Sequence, residues 1–370
     1  MSKHKRSSQV ELLRLIGCII VLATHCNQAV NVINEPDSLH AFRYCLLSDG
    51  VAFFWMITGY FLFASSDFVK KWKGVITKIV FPAFLIYILG YVTQNFFYES
   101  EDVGFWDNIS LQGFFEFISP LASAQSPSLP VTQHLWYVIA YVLVMLFLPL
   151  VKIIVDWLDK SLVLQIVFIV ITLTLWIIND ITYNNLLELE FSGLKVVAAA
   201  YVLIIWGHII YKHKKVFENK IFALITGVLV IAGVAFRTWY YMYSDSMGVE
   251  NAFYCCWWTS AFSLVLVALS SIFVFSVKRD GDSKADKFIC FLAGFSYGMY
   301  LLHPFVVSLL DKMEYFKYIT GVWGDNPTLT TIMALIVTFV IVFAATFVIN
   351  WLIRQIKKLI VAIPRKLKKA

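Results

Sequence analysis

Hydrophobic positions along this chain come in long unbroken blocks, with neither the alternation of a half-buried strand nor the stripe of a surface helix. Between charged residues and Pro or Gly breaks, apolar runs of roughly 18 or more residues recur. They lie near 11–33, 46–65, 75–97, 135–155, 162–178, 194–211, 220–242, 252–277, 288–310 and 327–352. A helix rising about 1.5 Å per residue needs about 20 such residues to cross a hydrocarbon layer of about 30 Å. The pattern predicts an all-α, polytopic membrane protein of about ten transmembrane helices, one membrane domain over 1–352 and a basic tail over 353–370. No soluble domain fits between the runs.

Composition agrees with a lipid environment, because 60% of the residues are hydrophobic and 15% charged, too little polar surface for a soluble globule of this length. The basic stretch Met1 to Ser8 leads into an apolar run and has the outline of a signal peptide. No small-residue cleavage site follows, however, and Arg14 interrupts the run, so a retained first helix is expected. The six cysteines are scattered without metal-ligand spacing, which predicts packing residues and no metal site.

Charge fixes the expected orientation. With the N-terminus inside, about 24 of the 30 Lys and Arg fall in inner segments, including Lys70, Lys71, Lys73, Lys78 and the tail residues Lys357, Lys358, Arg365, Lys366, Lys368 and Lys369. Both termini are then cytoplasmic, and the tail serves as a stop-transfer anchor to the inner leaflet. The net charge of +6 reflects this topology, and no nucleic-acid partner is expected. The longest outer segment, about 98–134, carries Glu99, Glu101, Asp102, Asp107 and Glu116 among aromatics, as a lid, an acceptor-binding element or an interfacial belt would.

Ionisable residues inside spans are costly and therefore informative. Arg14 and His25 are eleven residues apart on the first span, about three turns, which places them roughly 16 Å apart along the axis and within about 20° of one azimuth. Glu11 shares that side and is spaced to pair with Arg14. A guanidinium near the cytosol suits the phosphates of a nucleotide-bearing donor, and an imidazole farther out suits proton abstraction from a hydroxyl. A positive-inside anchor and a hydrogen-bonded core histidine would produce the same two residues.

Asp49, near the outer end of the second span, is placed to orient a histidine, to face a watery cavity or to sit at a loop edge. Thr58-Gly59-Tyr60 joins a hydroxyl, a close-approach glycine and an aromatic, a combination that helix packing also explains. His134-Leu135-Trp136-Tyr137 opens the fourth span, and Tyr297, Tyr300 and His303 form a stripe along the ninth. His208 and Arg237 have no recognisable context and read as structural or pore-lining.

Taken together, Arg14-x10-His25, Phe53-Phe54-x3-Thr58-Gly59-Tyr60, His134-Leu135-Trp136-Tyr137 and Ser296-Tyr297-Gly298-Met299-Tyr300-Leu301-Leu302-His303 resemble the membrane acyltransferase-3 family, in the correct order over essentially the whole chain. The resemblance implies a bacterial inner-membrane enzyme that O-acylates surface glycans such as capsular polysaccharide, using cytosolic acetyl-CoA or another acyl-CoA as donor and holding no permanent cofactor. By position it makes His25 the catalytic base and Arg14 a donor-site or cavity cation, with Tyr60 also at the donor. Glu11, Asp49, Thr58, His134, Trp136, Tyr297, Tyr300 and His303 become substrate-contacting or supporting residues. Thr58 stands where the family commonly has serine, and no hydrolase-like domain is expected after the last span. A transporter, or an export accessory without acyl-transfer chemistry, remains the competing class.

Overall fold

The computed structural model describes residues 6–30, 37–63, 67–97, 130–181, 192–247, 255–279, 281–323 and 326–367. Among these residues the chain is helical throughout, without a strand. Its main helices are α1 (Ser8–Ala29), α2 (Asp37–Leu46), α3 (Gly50–Leu62), α4 (Phe68–Val75), α5 (Phe81–Val92), α6 (Trp136–Leu158) and α7 (Leu162–Ile181). They continue with α8 (Ser192–Lys212), α9 (Lys220–Ser246), α10 (Ala261–Ser276), α11 (Lys284–Ala293), α12 (Ser296–Lys312), α13 (Tyr315–Trp323) and α14 (Pro327–Leu367).

Each of the ten apolar runs coincides with a helix, but the runs are not equivalent. Seven helices are long and apolar enough to cross a membrane, and α11 with α12, bent by 55° at their junction, makes an eighth if counted as one span. The two remaining runs form shorter apolar helices, Val196–Lys212 and Ala261–Ser276. The 252–277 run shortens because Ser260 caps α10, its side chain accepting from the Ser263 amide and fixing the helix start there. The long outer segment expected over 98–134 falls largely on residues 98–129, outside the described ones.

Helical structure also appears where the sequence pattern predicts none. The polar segment 37–46 is helical, so the second candidate span runs Ser38–Leu62. The third starts at Phe68, with Asp67 accepting from the Lys70 amide as its cap. Between α4 and α5, Ile76–Val80 widens into a π-turn, with Phe81 N–H bonding Ile76 O. The following Pro82, which has no N–H and would press on the carbonyl four residues back, accounts for the widening. At the other end α14 runs on to Leu367, so the tail extends the last helix.

Packing separates a centre from a lipid-facing rim. Large apolar side chains on α7 and α9, such as Ile166, Val170, Leu224 and Ile231, are exposed, as lipid contact requires, whereas α8 buries Ala199, Ala200, Ile204 and Ile205. At the centre α3 is clasped between α1 and α8. A Cβ on Gly59 would run into the carbonyl of Ile204, and one on Gly207 into that of Met56, so these two glycines let α3 and α8 touch backbone to backbone. A Cβ on Gly17 would lie 2.9 Å from Phe53 Cβ, and one on Gly50 2.9 Å from Gly17 O, so α1 also packs closely on α3, though less tightly than α8 does. The helix carrying Arg14 and His25 is thereby held firmly against the helix carrying Asp49 and Thr58.

Candidate active site

Two cavities lie one after the other along α1, α3 and α6. One, of about 650 Å³, is lined by His25, Asn27 and Gln28 on α1, Gly50 and Val51 on α3, and Trp136 and Ala140 on α6. The other, of about 410 Å³, is lined by Arg14, Phe54, Thr58, Lys71, Lys78 and Tyr137, among others. Arg14 and His25, which share one stripe of α1, therefore open into separate chambers. Phe54, Tyr137 and Tyr300, with ring centroids 5.7 to 6.3 Å apart, close the Arg14 chamber at the end nearer His25.

The Arg14 chamber is cationic. Arg14, whose side chain is 28% exposed, donates to Glu11 at 2.8 Å, while Glu11 also accepts from Arg6 at 3.0 Å. One buried carboxylate thus holds two guanidiniums and orients Arg14 without enclosing it. Lys71 and Lys78 complete the positive wall, and Lys71 Nζ donates to the Leu62 carbonyl at the end of α3. Tyr297 also lines this chamber and donates to Ile79 O at 2.6 Å. Thr58 belongs here too, its hydroxyl bound to Phe54 O at 2.8 Å.

His25 sits in a cluster of imidazoles drawn from three helical segments. Its ring centroid lies 4.8 Å from that of His303 on α12, which in turn lies 5.3 Å from that of His134 just before α6. His303 Nδ1 is 2.7 Å from the Tyr300 carbonyl. A carbonyl only accepts, so Nδ1 carries the proton of the neutral ring and Nε2 keeps its lone pair. That Nε2 is buried with no hydrogen-bond partner among the described residues. Tyr300 donates its hydroxyl to the His134 carbonyl, joining the aromatic floor to the imidazole cluster.

The remaining expected site residues divide clearly. Trp136 lines the His25 chamber. Tyr60 lines neither chamber: it is buried against Tyr211 and Phe275 and donates its hydroxyl to Ser271 Oγ at 3.1 Å, away from the place expected for a donor contact. Asp49 is hydrogen-bonded to no histidine among the described residues and sits at a loop edge, in the short turn that leads into α3. It is buried and bound through both oxygens by Arg237 at 3.0 Å. Arg237, fully buried, also donates to Cys255 O at 2.8 Å, Cys45 O at 3.1 Å and Ser263 Oγ at 2.9 Å. This knot ties α3, α9 and α10 together and, through Cys255, anchors the Trp257-Trp258 segment that walls the His25 chamber. His208 pairs with Asp159 at 3.1 Å, away from both chambers.

A family model described as an acyltransferase domain matches residues 8–354. The chain belongs to the acyltransferase-3 family. It is a multi-pass membrane acyltransferase. No curated protein and no solved structure matches it.

For this acyltransferase the sequence pattern had not singled out Asn27, Gln28, Tyr141 or the Trp257-Trp258 pair as site residues. Gln28 carries a signal in retrospect, since a polar amide three residues past an intramembrane histidine extends its face, whereas Asn27, two residues past it, carries none. Trp257 and Trp258 carry none, because a tryptophan pair at a span's edge reads equally as an interface belt.

Proposed function

We propose that the protein transfers an acyl group, acetyl being the simplest case, from cytosolic acyl-CoA to a hydroxyl of an extracytoplasmic glycan. The observation that carries this reading is the pair of chambers stacked on one face of α1, cationic around Arg14 and imidazole-bearing around His25. In this reading the chain spans the bacterial inner membrane about ten times, with both termini cytoplasmic, and the Arg14 chamber opens to the cytosol. The excess of Lys and Arg in the corresponding segments supports that orientation.

The donor's phosphates sit against Arg14, Lys71 and Lys78, whose charge and hydrogen-bonding geometry match them. Its slender pantetheine arm passes the Phe54, Tyr137 and Tyr300 floor once those rings turn aside, bringing the thioester to His25. His25 removes the proton from the acceptor hydroxyl as its oxygen attacks the acyl carbon. The C–S bond breaks, and the same proton passes to the leaving thiolate, giving an ester and free CoA. His303 acts through His25. With Nδ1–H committed to the Tyr300 carbonyl, its unpartnered Nε2 lone pair is left to accept from a His25 N–H once the two tilted rings turn toward one another, which would aim the other His25 nitrogen, as base, at the acceptor.

Purified protein incubated with labelled acetyl-CoA and candidate glycans should release CoA and label the glycan. His25→Ala should lower that rate by roughly 10²–10⁴-fold, the usual contribution of a positioned base, with membrane insertion intact. Undiminished transfer at matched protein level removes His25 as base. Paired chambers along the membrane axis also suit a carrier, and a carrier moves its solute without consuming acyl-CoA.

A further inference from the structure

We infer that the acceptor unit seated beside His25 is an uncharged sugar ring, stacked on an indole platform and read by the Asn27 and Gln28 amides. The inference rests on the acyl-transfer reading and specifies its acceptor. Its basis is the contrast between the two chambers. The Arg14 chamber has Arg14, Lys71 and Lys78 in its wall, whereas no Asp, Glu, Lys or Arg lines the His25 chamber among the described residues. A carboxylate or phosphate entering there would lose its water without gaining a counter-ion.

The walls instead match a polyhydroxy ring with one apolar face. Trp136 and Trp258 stack nearly parallel, 5.7 Å between centroids and 19° between planes, and both line the chamber beside the exposed Trp257. Flat, rigid π-surfaces of this kind pack against the C–H face of a pyranose and present a polar N–H at their edge. Across the chamber, Asn27 Oδ1 accepts from Arg43 Nε at 3.0 Å, which fixes the amide's orientation and leaves Nδ2 as the donor for a ligand. Gln28, exposed on the same face, adds a donor and an acceptor. A plain alkyl alcohol would leave these amides unmatched, and an ionic sugar would find no cation in the wall itself, the Arg43 guanidinium lying behind Asn27 and engaged by it. The cavity volume, about 650 Å³, is in the range of small-ligand sites and admits a short saccharide.

The test uses the full-length protein in lipid nanodiscs with labelled acetyl-CoA and three acceptors: a neutral gluco-oligosaccharide, its uronic-acid counterpart, and a medium-chain alcohol. The expected result is transfer to the neutral sugar with kcat/KM at least about tenfold above the other two, a preference worth about 1.4 kcal/mol or more. Trp258→Ala should raise the neutral acceptor's KM about tenfold while the KM for acetyl-CoA stays put, and Trp258→Phe should recover most of the loss. Equal or better use of the uronate or the alcohol overturns the proposal, as does an acceptor KM that ignores Trp258. Acetyl-CoA bound or slowly hydrolysed, with no saturable binding of the neutral sugar by equilibrium dialysis, also overturns it while leaving acyl transfer standing. Failure to bind acetyl-CoA at all overturns the acyl-transfer reading itself and this inference with it.

Discussion

His25 and His303, 278 residues apart in sequence, lie with ring centroids 4.8 Å apart. No carboxylate among the described residues is hydrogen-bonded to either ring, so the group packed beside His25, where many catalytic histidines have an Asp or Glu, is a second imidazole in ring contact. The Tyr300 carbonyl on His303 Nδ1 completes the set of interactions that would orient His25.

His303→Ala should therefore lower kcat by about tenfold or more, a part of the roughly 10²–10⁴-fold that a positioned base supplies, and leave the acyl-CoA KM nearly unchanged. Steady-state kinetics across pH check this, since loss of an orienting partner moves the acidic limb of the profile, which reports the base. A His303 that merely fills space would, on removal, reduce the yield of folded protein and leave the profile in place.

Arg14→Gln should raise the KM for acyl-CoA about tenfold, equivalent to about 1.4 kcal/mol, with a smaller effect on kcat. The effect should grow with the number of donor phosphates, so acyl-CoA should suffer more than an acyl-pantetheine that lacks them. Equal losses for both donors would assign Arg14 to topology alone. Glu11→Gln, which removes the carboxylate shared by Arg6 and Arg14, should disturb donor affinity through Arg14 without touching the donor.

Removing one partner of the Asp49–Arg237 pair strands a buried charge, at a cost of about 3–5 kcal/mol. Arg237→Met and Asp49→Asn should each lower the thermal unfolding midpoint in detergent markedly. Arg237→Met combined with Asp49→Leu should recover much of the loss. Acceptor affinity should fall with Arg237→Met even where folded protein is recovered, because the Cys255 carbonyl that positions Trp257 and Trp258 is released.

Asp159, in the turn between α6 and α7, supports a pH prediction. Partial burial pushes its carboxyl up, but hydrogen bonds and charge from Lys212 at 2.7 Å and His208 outweigh that and hold it below its ordinary value. A carboxyl lowered in the folded state contributes stability above its unfolded value of about 3.9, and that contribution disappears as pH falls through the lower folded value. Thermal midpoints recorded from pH 6 to about pH 3 should fall for the native chain. Asp159→Asn should start lower and lack that component of the fall.

The relation of Arg14 to His25 was legible in the sequence because a single helix fixes both azimuth and rise. What could not be read was anything set by helices meeting. The approach of His25, His134 and His303 depends on α1, the start of α6 and α12 converging, and the partner of Asp49 lies on α9. Tyr60 shows the reverse error: it shares a motif with Thr58 and Gly59, yet two residues of helix turn it to a different face, onto Tyr211 rather than into the Arg14 chamber. Hydropathy likewise registers one apolar run at 288–310 but not the 55° bend between Ala293 and Ser296 within it.

The three rings that end the Arg14 chamber matter most when no substrate is bound. A protein that delivers a group across a bilayer while standing permanently open would short-circuit the ion gradients its host lives on. On the proposed reading, Phe54, Tyr137 and Tyr300, with Tyr300 tethered to the His134 carbonyl, would act as an insulating plug between the two chambers. If the donor is the proposed acyl-CoA, the same rings would keep outside water from its thioester until the donor had turned them aside and filled their space.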